Sequence, residues 1–313
     1  MENAIELPSE KIVKPSKNSM LEFLRFVFAF WVVYYHSFFI FKDQFFGWGY
    51  ISVDFFFVLG GFFFLGSFKA VKDLPFFKGV GKFLWKRFKS ISFIFLICMV
   101  FAVWYWIEAG VSWNLIDAFG YLWYIPFYFL AFFVFFALRK FIKNNNIFVA
   151  VCILIAVLCY ILYWTVITKN GLLRAFGGVG LGIALSFIPA LNLKFKNINW
   201  NLVIFVLLFI GTVILMALPA KKLWCEIILM TVMFPALIYF GFQVKIKIKF
   251  FDYLGTLSFG LYAFQCVLRI LELYGLTNKT ILFVLLLTLT IVANTKAFRN
   301  IFMPKKVENM NKV

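Results

Sequence analysis

Long apolar stretches recur along this 313-residue chain from residue 21 almost to its end. The chain is 64% hydrophobic with a mean hydropathy of +0.96, which no soluble globular domain matches. In lipid, a segment must satisfy its own backbone hydrogen bonds, and a helix does so internally. We therefore predict an all-α integral membrane protein of about ten transmembrane helices. The predicted spans cover residues 21–41, 49–68, 90–108, 120–138, 147–167, 171–189, 200–219, 223–242, 254–275 and 279–298.

These stretches follow one another without a soluble domain or a low-complexity linker. We expect residues 1–20 to form a cytoplasmic N-terminal tail, residues 21–298 a single membrane domain, and residues 299–313 a cytoplasmic C-terminal tail. The polar N-terminus predicts no cleavable signal peptide, so the first span is the expected insertion signal. The basic stretch 69–89 is predicted to lie at the membrane surface as an amphipathic segment.

The charge distribution predicts the orientation of the chain. The formal net charge is +18, and most of the 31 lysines and arginines fall in alternate loops and in the tails. Loops rich in these residues stay on the cytoplasmic side, so both termini are expected there. Topology thus accounts for the positive charge, and no nucleic-acid partner is expected. The five cysteines lie within spans and lack metal-binding spacing, so neither disulfides nor a metal site are predicted.

His36 is the only histidine, and it closes an apolar run that begins at Arg25. On a helix the two residues share one face and lie about 16 Å apart along the axis. An ionisable group within a bilayer costs roughly 2.5–3.5 kcal/mol or more, so it marks a functional site by default. A structural histidine packed against a neighbouring helix is the alternative. Glu22 can pair with Arg25 three residues later, either as part of a site or as a simple surface ion pair.

Asp54 is expected at a similar depth to His36. The first two spans form an antiparallel hairpin about Phe45, and the two residues lie equally far from it along the chain. A carboxylate in contact with an imidazole would fix its tautomer and stabilise its cationic form. Equal depth does not guarantee contact, and pairing of Asp54 with another cation is the alternative.

Five segments carry a further pattern. They are L-E-F-L-R from Leu21 with R-x10-H ending at His36, G-Y-I-S-V-D-F-F-F-V-L-G-G-F from Gly49, K-R-F-K-S-I from Lys86, Y-L-W-Y-I-P from Tyr121, and L-G-T-L-S-F-G-L-Y-A-F-Q from Leu254. The order of these segments, together with the ten predicted spans, resembles the pattern of acyltransferase family 3. The multispan enzymes of this family move acyl groups onto surface glycans, lipids and other acceptors.

The chain departs from the family pattern at three positions. Ser90 stands where a second arginine is common, and the adjacent Lys89 is the candidate replacement. Gly60 stands in place of a serine, and Gln265 in place of a histidine. These departures bear on the donor-binding site more than on the family itself.

The resemblance implies an acyl-CoA donor, most often acetyl-CoA, used as a substrate, with no permanently bound cofactor. CoA is a cytosolic polyanion, and a cytoplasmic basic cluster suits its phosphates. Positive-inside topology alone also explains most loop lysines. The residues expected to contact the donor are Arg25, Lys86, Arg87 and Lys89.

His36 is the expected catalytic residue, with Arg25 and Asp54 supporting it. It would act either as a general base on an acceptor hydroxyl or as an acyl-carrying nucleophile. The expected partners are acyl-CoA, membrane lipid, and a glycan or lipid-linked saccharide acceptor. Seven of the ten tryptophans fall near the outer side, where they form either an interfacial belt or a platform for sugar stacking.

The resemblance therefore predicts a multi-pass membrane O-acyltransferase that acetylates a cell-surface polysaccharide or its lipid-linked precursor. The composition, rich in Phe, Lys and Asn, favours a bacterial source and hence the inner membrane. The rival hypothesis is a transporter or flippase for glycan intermediates, because intramembrane charged groups suit such a pathway as well. A third hypothesis is a non-catalytic partner subunit, but the intact R-x10-H spacing argues against it.

Overall fold

The computed structural model describes residues 18–36, 48–108, 122–167, 170–191, 194–195, 198–218, 223–276 and 278–295. Within these ranges the chain is a bundle of helices with one two-stranded hairpin. The predicted C-terminal tail, nearly all of the N-terminal tail and the loop around Phe45 lie outside the described residues. The predicted domain boundaries therefore stay predictions.

Helices are found at each of the predicted spans. In chain order they are α1 (Ser19–His36), a 3-10 turn (Gly49–Ile51), α2 (Ser52–Phe62), α3 (Phe64–Lys69), α4 (Phe76–Glu108), α5 (Tyr124–Phe141), α6 (Asn145–Thr165), α7 (Gly171–Leu185), α8 (Trp200–Ala217), α9 (Leu223–Ile228), a π-helical segment (Leu229–Met233), α10 (Phe234–Gln243), α11 (Lys249–Ala263), α12 (Gln265–Leu273) and α13 (Lys279–Ala293). Between α7 and α8, strand β1 (Lys194–Phe195) pairs antiparallel with β2 (Ile198–Asn199).

Five helical segments of the described chain are long and apolar enough to cross a membrane. They are Phe76–Tyr105, Tyr124–Phe141, Asn145–Thr165, Trp200–Ala217 and Leu223–Gln243. Shorter apolar helices cover Gly49–Phe62, Gly171–Leu185 and Thr280–Ala293. The fold is therefore that of a multi-pass α-helical membrane protein. The count of ten spans and the cytoplasmic position of both termini remain predictions.

Helix α4 differs from its prediction, because the basic stretch and the following span form one helix of 33 residues. At 1.5 Å per residue this helix is about 50 Å long, more than the ~30 Å hydrocarbon core. Its basic N-terminal part can therefore extend beyond the apolar layer, as expected for a surface segment. No proline interrupts residues 76–108, so nothing in the sequence ends the helix at the membrane surface.

Asparagine residues cap the N-termini of several of these helices. The side-chain oxygens of Asn144, Asn170, Asn199 and Asn278 accept hydrogen bonds from backbone N–H groups in the first turns of α6, α7, α8 and α13. Such caps satisfy donors that have no partner within the helix. They fix the helix starts in a sequence whose apolar residues alone do not mark them.

Segments from several of the basic loops meet one another. The Asn18 amide donates to the Phe242 carbonyl at 2.9 Å, which joins the start of α1 to the end of α10. The Lys140 ammonium donates to the Leu74 carbonyl at 2.7 Å, which joins the end of α5 to the turn before α4. These contacts bring together loops that the charge distribution assigns to one side of the membrane.

Helix α2 lies at the centre and contributes to two apolar clusters. One cluster includes Phe57 and Phe64 of α2 and α3, packed with residues of α5 and α7 such as Phe132. In the other, Phe55 of α2 stacks on Phe28 of α1 with ring centroids 4.2 Å apart. The two faces of α2 therefore hold different sets of helices.

Helices α2 and α7 run parallel and approach closely along glycines. A Cβ atom at Gly61 would collide with the Val179 carbonyl, and one at Gly182 with the Val58 carbonyl. Only glycine permits this backbone distance. The close packing fixes the register of the two helices, and both begin at the end of the bundle where His36 ends α1.

Candidate functional site

Arg25 and Glu22 form the predicted ion pair on α1. The Arg25 Nη1 donates to both Glu22 carboxylate oxygens, at 3.1 Å and 3.0 Å. The carboxylate occupies the space beside Gly255 of α11, where a Cβ atom would collide with it. The Arg25 side chain remains 36% exposed while that of Glu22 is 13% exposed. Glu22 thus anchors Arg25 at the interface of α1 and α11 and leaves its guanidinium accessible.

Arg87 turns into the bundle, although it follows a run of surface lysines. Its guanidinium carbon lies 3.9 Å from the ring centroid of Phe83 and 4.3 Å from that of Phe132. The guanidinium also lies beside the Tyr128 hydroxyl. Its Nη1 is buried and has no hydrogen-bond partner in the described part of the chain. Cation–π contacts hold this charge, and one of its donors stays unsatisfied within the described residues.

Arg25 and Arg87 converge on the same tyrosine. Both guanidinium groups lie within electrostatic reach of Tyr128 on α5, and Arg25 also reaches Tyr124. The structure therefore brings together two of the four predicted donor-binding residues. We call Arg25, Arg87 and Tyr128 the inner arginine site.

Lys86 and Lys89 do not join the inner arginine site. Both side chains are exposed, and with Lys82 they share a helix face that is turned away from Arg87. The hydroxyl of Ser90, which stands at the position of the family's second arginine, donates to the Arg87 carbonyl at 2.6 Å. Direct contact of Lys86 and Lys89 with a donor stays a prediction.

The other two departures from the family pattern have local explanations. A Cβ atom at Gly60 would lie 2.6 Å from the Tyr128 hydroxyl, so Tyr128 occupies the space that a serine would need. Gln265 is buried, and its Nε2 donates to the Tyr262 carbonyl at 2.9 Å. The Gln265 Oε1 has no hydrogen-bond partner among the described residues. The Tyr262 ring packs edge-on against Tyr124, 4.9 Å between centroids.

Asp54 pairs with Arg174 of α7, so the alternative of another cationic partner is realised. The Arg174 Nε donates to Oδ1 at 3.2 Å and to Oδ2 at 3.1 Å, and Nη2 donates to Oδ2 at 2.5 Å. Asp54 is fully buried and Arg174 is 6% exposed. Two charges buried in this way require mutual compensation. A role for Asp54 in orienting His36 stays a prediction.

Further polar groups surround this ion pair. The Arg174 Nη2 donates to the Tyr50 carbonyl at 2.8 Å, and its guanidinium carbon lies 5.4 Å from the Trp123 ring centroid. The Tyr163 hydroxyl donates to Glu226 at 2.8 Å, and the Tyr50 hydroxyl lies 3.5 Å from the other carboxylate oxygen. We call Tyr50, Asp54, Tyr163, Arg174 and Glu226 the outer polar cluster.

His36 lies half-buried at the last residue of α1. Its ring is 5.2 Å from that of Tyr35, which in turn is 5.5 Å from that of Tyr50. His36 is therefore two ring contacts from the outer polar cluster. Because α1 is continuous, Arg25 and His36 lie about 16 Å apart along its axis. One helix thus connects the inner arginine site to the outer cluster.

The comparison with protein families decides what this chain is. A family model described as an acyltransferase domain, that of acyltransferase family 3, matches residues 18–294, which is most of the chain. The chain belongs to acyltransferase family 3. No curated protein and no solved structure matches it. The matched region of this membrane acyltransferase contains every residue that the sequence predicts for its site.

The sequence prediction did not assign Arg174, Glu226 or Tyr128 to the candidate site. Arg174 and Glu226 are visible in the sequence as ionisable residues within apolar spans, which is a signal of function. Nothing in the sequence tells that Arg174 faces Asp54 or that Tyr163 faces Glu226. Tyr128 carries no sequence signal of its own, because the chain has 13 tyrosines and 47 phenylalanines.

Proposed function

We propose that this acyltransferase is an O-acetyltransferase of the bacterial inner membrane. It moves an acetyl group from acetyl-CoA to a hydroxyl of a cell-surface polysaccharide or of its lipid-linked precursor. The observation that carries the proposal is the arrangement along α1, with Arg25 in the inner arginine site and His36 at the other end of the helix. A slender pantetheine arm can span the ~16 Å between them.

The inner arginine site suits the phosphates of CoA. A guanidinium binds phosphate oxygens through two parallel hydrogen bonds, and Arg25 and Arg87 offer two such groups within electrostatic reach of Tyr128. Binding of an anion would satisfy the buried Nη1 of Arg87, which lacks a partner in the described chain. The exposed Lys86 and Lys89 would attract the polyanion and raise its local concentration.

His36 would carry out the transfer by one of two routes. As a general base, the neutral imidazole takes the proton of the acceptor hydroxyl while the hydroxyl oxygen attacks the thioester carbonyl. The C–S bond breaks, and the CoA thiolate leaves and takes up a proton. As a nucleophile, the imidazole first forms an acyl-imidazole with release of the CoA thiol, and the acceptor hydroxyl then attacks that group. Both routes end with an ester and free CoA.

Transport of a glycan without chemistry is the competing function. Charged residues within the membrane suit either activity. Membership of an acyltransferase family supports transfer. Release of CoA separates the two, because a transporter would leave the thioester intact.

The test uses the full-length protein, purified in detergent and supplied with acetyl-CoA. We expect release of CoA thiol, measured with a chromogenic thiol reagent, and a loss of at least 100-fold in His36→Ala. The control is Tyr274→Phe, because Tyr274 is an exposed aromatic residue outside the site. Rapid denaturation in the cold at neutral pH, followed by mass spectrometry, distinguishes the routes, since only the nucleophilic route leaves an acetyl group on His36. Wild-type rates in His36→Ala would refute the catalytic role.

A further inference from the structure

Glu226 of the outer polar cluster takes no part in the proposed chemistry. Its side chain is half-buried, and its two oxygens face the Tyr163 and Tyr50 hydroxyls at 2.8 Å and 3.5 Å. Within the described part of the chain, no lysine or arginine forms a salt bridge with it. The tyrosines orient the carboxylate. Arg174 lies within electrostatic reach of Glu226, but its guanidinium is paired with Asp54, so the three groups together keep one negative charge. A carboxylate has about four lone-pair positions, so acceptor capacity remains.

The backbone next to Glu226 is unusual. The π-helical segment Leu229–Met233 begins three residues after it, between α9 and α10. Such segments are rare and are frequent at functional sites. The wider turn allows Glu226 to face Tyr163 while Phe234, after the segment, packs against Phe28 with centroids 5.0 Å apart. The π segment thus lies between Glu226, which faces Tyr163, and Phe234, which faces Phe28.

Two buried donors without acceptors lie on the same helix as Tyr163, α6. The Tyr160 hydroxyl and the Trp164 Nε1 make no hydrogen bond in the described chain, and Tyr160 is only 3% exposed. The two rings stack with centroids 5.1 Å apart, and Trp164 packs edge-on against Tyr163 at 6.3 Å. An unsatisfied buried donor is unfavourable. Tyr163 connects these donors to Glu226, so acceptor and donor groups lie on neighbouring side chains.

We propose that Glu226, Tyr163 and Trp164 form the acceptor-binding site and recognise neighbouring hydroxyls of an uncharged sugar residue. Because a sugar hydroxyl can either donate or accept, one hydroxyl can donate to Glu226 while a neighbouring one accepts from the Trp164 Nε1. This inference rests on the proposed function and adds the class of acceptor to it. Tyr35 links the site to His36 through its contact with Tyr50. Glu226 determines specificity, because its charge repels an acidic sugar.

The experiment uses purified full-length protein, saturating acetyl-CoA, and the methyl glycosides of glucose, N-acetylglucosamine and glucuronic acid as acceptors. We expect a neutral glycoside to be acetylated with at least tenfold higher kcat/KM than the glucuronide. Glu226→Gln should raise the KM for the neutral glycoside at least tenfold. It should leave kcat and the KM for acetyl-CoA within twofold of the wild-type values. It should also reduce the ratio of kcat/KM for the neutral glycoside to kcat/KM for the glucuronide. Glu226→Asp, which keeps the charge, should recover part of the loss.

The control is Glu108→Gln, because the exposed Glu108 carboxylate also accepts from an aromatic side chain, the Trp104 Nε1 at 3.3 Å, but lies outside the outer polar cluster. All constants should stay within twofold in this variant. If Glu226→Gln does not fold, Tyr163→Phe and Trp164→Phe provide the test, because each removes one polar group and keeps the ring. Each should raise the KM for the neutral glycoside.

The outcomes separate the inference from the proposed function. If the wild-type protein releases no CoA with or without a glycoside, the proposed function is wrong. If CoA is released, three results would overturn the inference alone. The first is a higher kcat/KM for the glucuronide than for the neutral glycosides. The second is that neither neutral glycoside is acetylated. The third is that the variants at Glu226, Tyr163 and Trp164 keep the wild-type kinetic constants, as Glu108→Gln does.

Discussion

Arg174 of α7 binds Asp54 of α2 through both carboxylate oxygens, although 120 residues separate them in the sequence. The same guanidinium donates to the Tyr50 carbonyl just before α2 begins. One side chain therefore compensates a buried charge and also fixes the backbone that precedes α2. Because Tyr50 contacts both Tyr35 and Glu226, the ion pair supports the surroundings of His36.

This ion pair should behave as a coupled unit. Asp54→Leu or Arg174→Met alone leaves an uncompensated buried charge, so each should lower the free energy of unfolding by about 3–5 kcal/mol. The double variant removes both charges and should be more stable than either single variant. A titration with a denaturing detergent, followed by tryptophan fluorescence, measures the coupling.

The matched control for the ion pair is Asp73→Asn, because Asp73 is exposed on the turn before α4. It should change stability by less than about 0.5 kcal/mol. Additive losses in the double variant would show that the two side chains do not depend on each other. Asp54→Asn should impair acetyl transfer less than His36→Ala, because it acts through Arg174 and the fold.

The parallel packing of α2 on α7 gives a second prediction. Gly182→Ala should lower the free energy of unfolding by about 1–3 kcal/mol and impair transfer, because the added methyl group meets the Val58 carbonyl and forces the helices apart. Gly66→Ala is the control, since no atom lies within 4 Å of a Cβ at Gly66. It should be neutral or stabilise α3 by up to about 1 kcal/mol. Equal effects of both substitutions would argue against close packing at Gly182.

The sequence predicts the helical membrane fold, because apolar length and charge asymmetry are local signals. It also predicts the Glu22–Arg25 pair, since residues three apart on a helix are neighbours. The partner of Asp54 depends on how α2 meets α7, which no local pattern encodes. The inward turn of Arg87 is equally hidden, because it follows from the aromatic surface that α5 presents to α4. Local spacing therefore reveals sites within one helix and misses those between helices.

The orientation in the membrane is open to a direct test. Reporter fusions at Asn145 and Lys306 should read as cytoplasmic and a fusion at Asp43 as external, because basic loops are retained in the cytoplasm. A fluorescent protein that folds only inside the cell and a phosphatase active only outside it give complementary readings. An external signal at Lys306 would reverse the orientation and place the inner arginine site on the wrong side for cytosolic CoA.

The donor site gives the last prediction, in which Arg87 should matter more than the lysines around it. Arg87→Ala and Arg25→Ala should each weaken acetyl-CoA binding at least tenfold, because both guanidinium groups belong to the inner arginine site. Arg87→Lys should restore binding only in part, since a point charge cannot replace a guanidinium held between the rings of Phe83 and Phe132. Titration of acetyl-CoA in detergent at fixed ionic strength measures these effects.

Lys89 and Lys82 provide the matched comparison, because both are exposed on the same face of α4. Lys89→Ala and Lys82→Ala should each weaken binding by less than about threefold, and the effect should vanish at 1 M salt, where exposed charges are screened. The loss in Arg87→Ala should persist there, since its guanidinium is partly buried. If Lys89→Ala instead matches Arg87→Ala, and the added Ser90→Arg restores binding, Lys89 replaces the arginine that the family has at position 90. The donor phosphates would then lie on the outer face of α4 rather than against Tyr128.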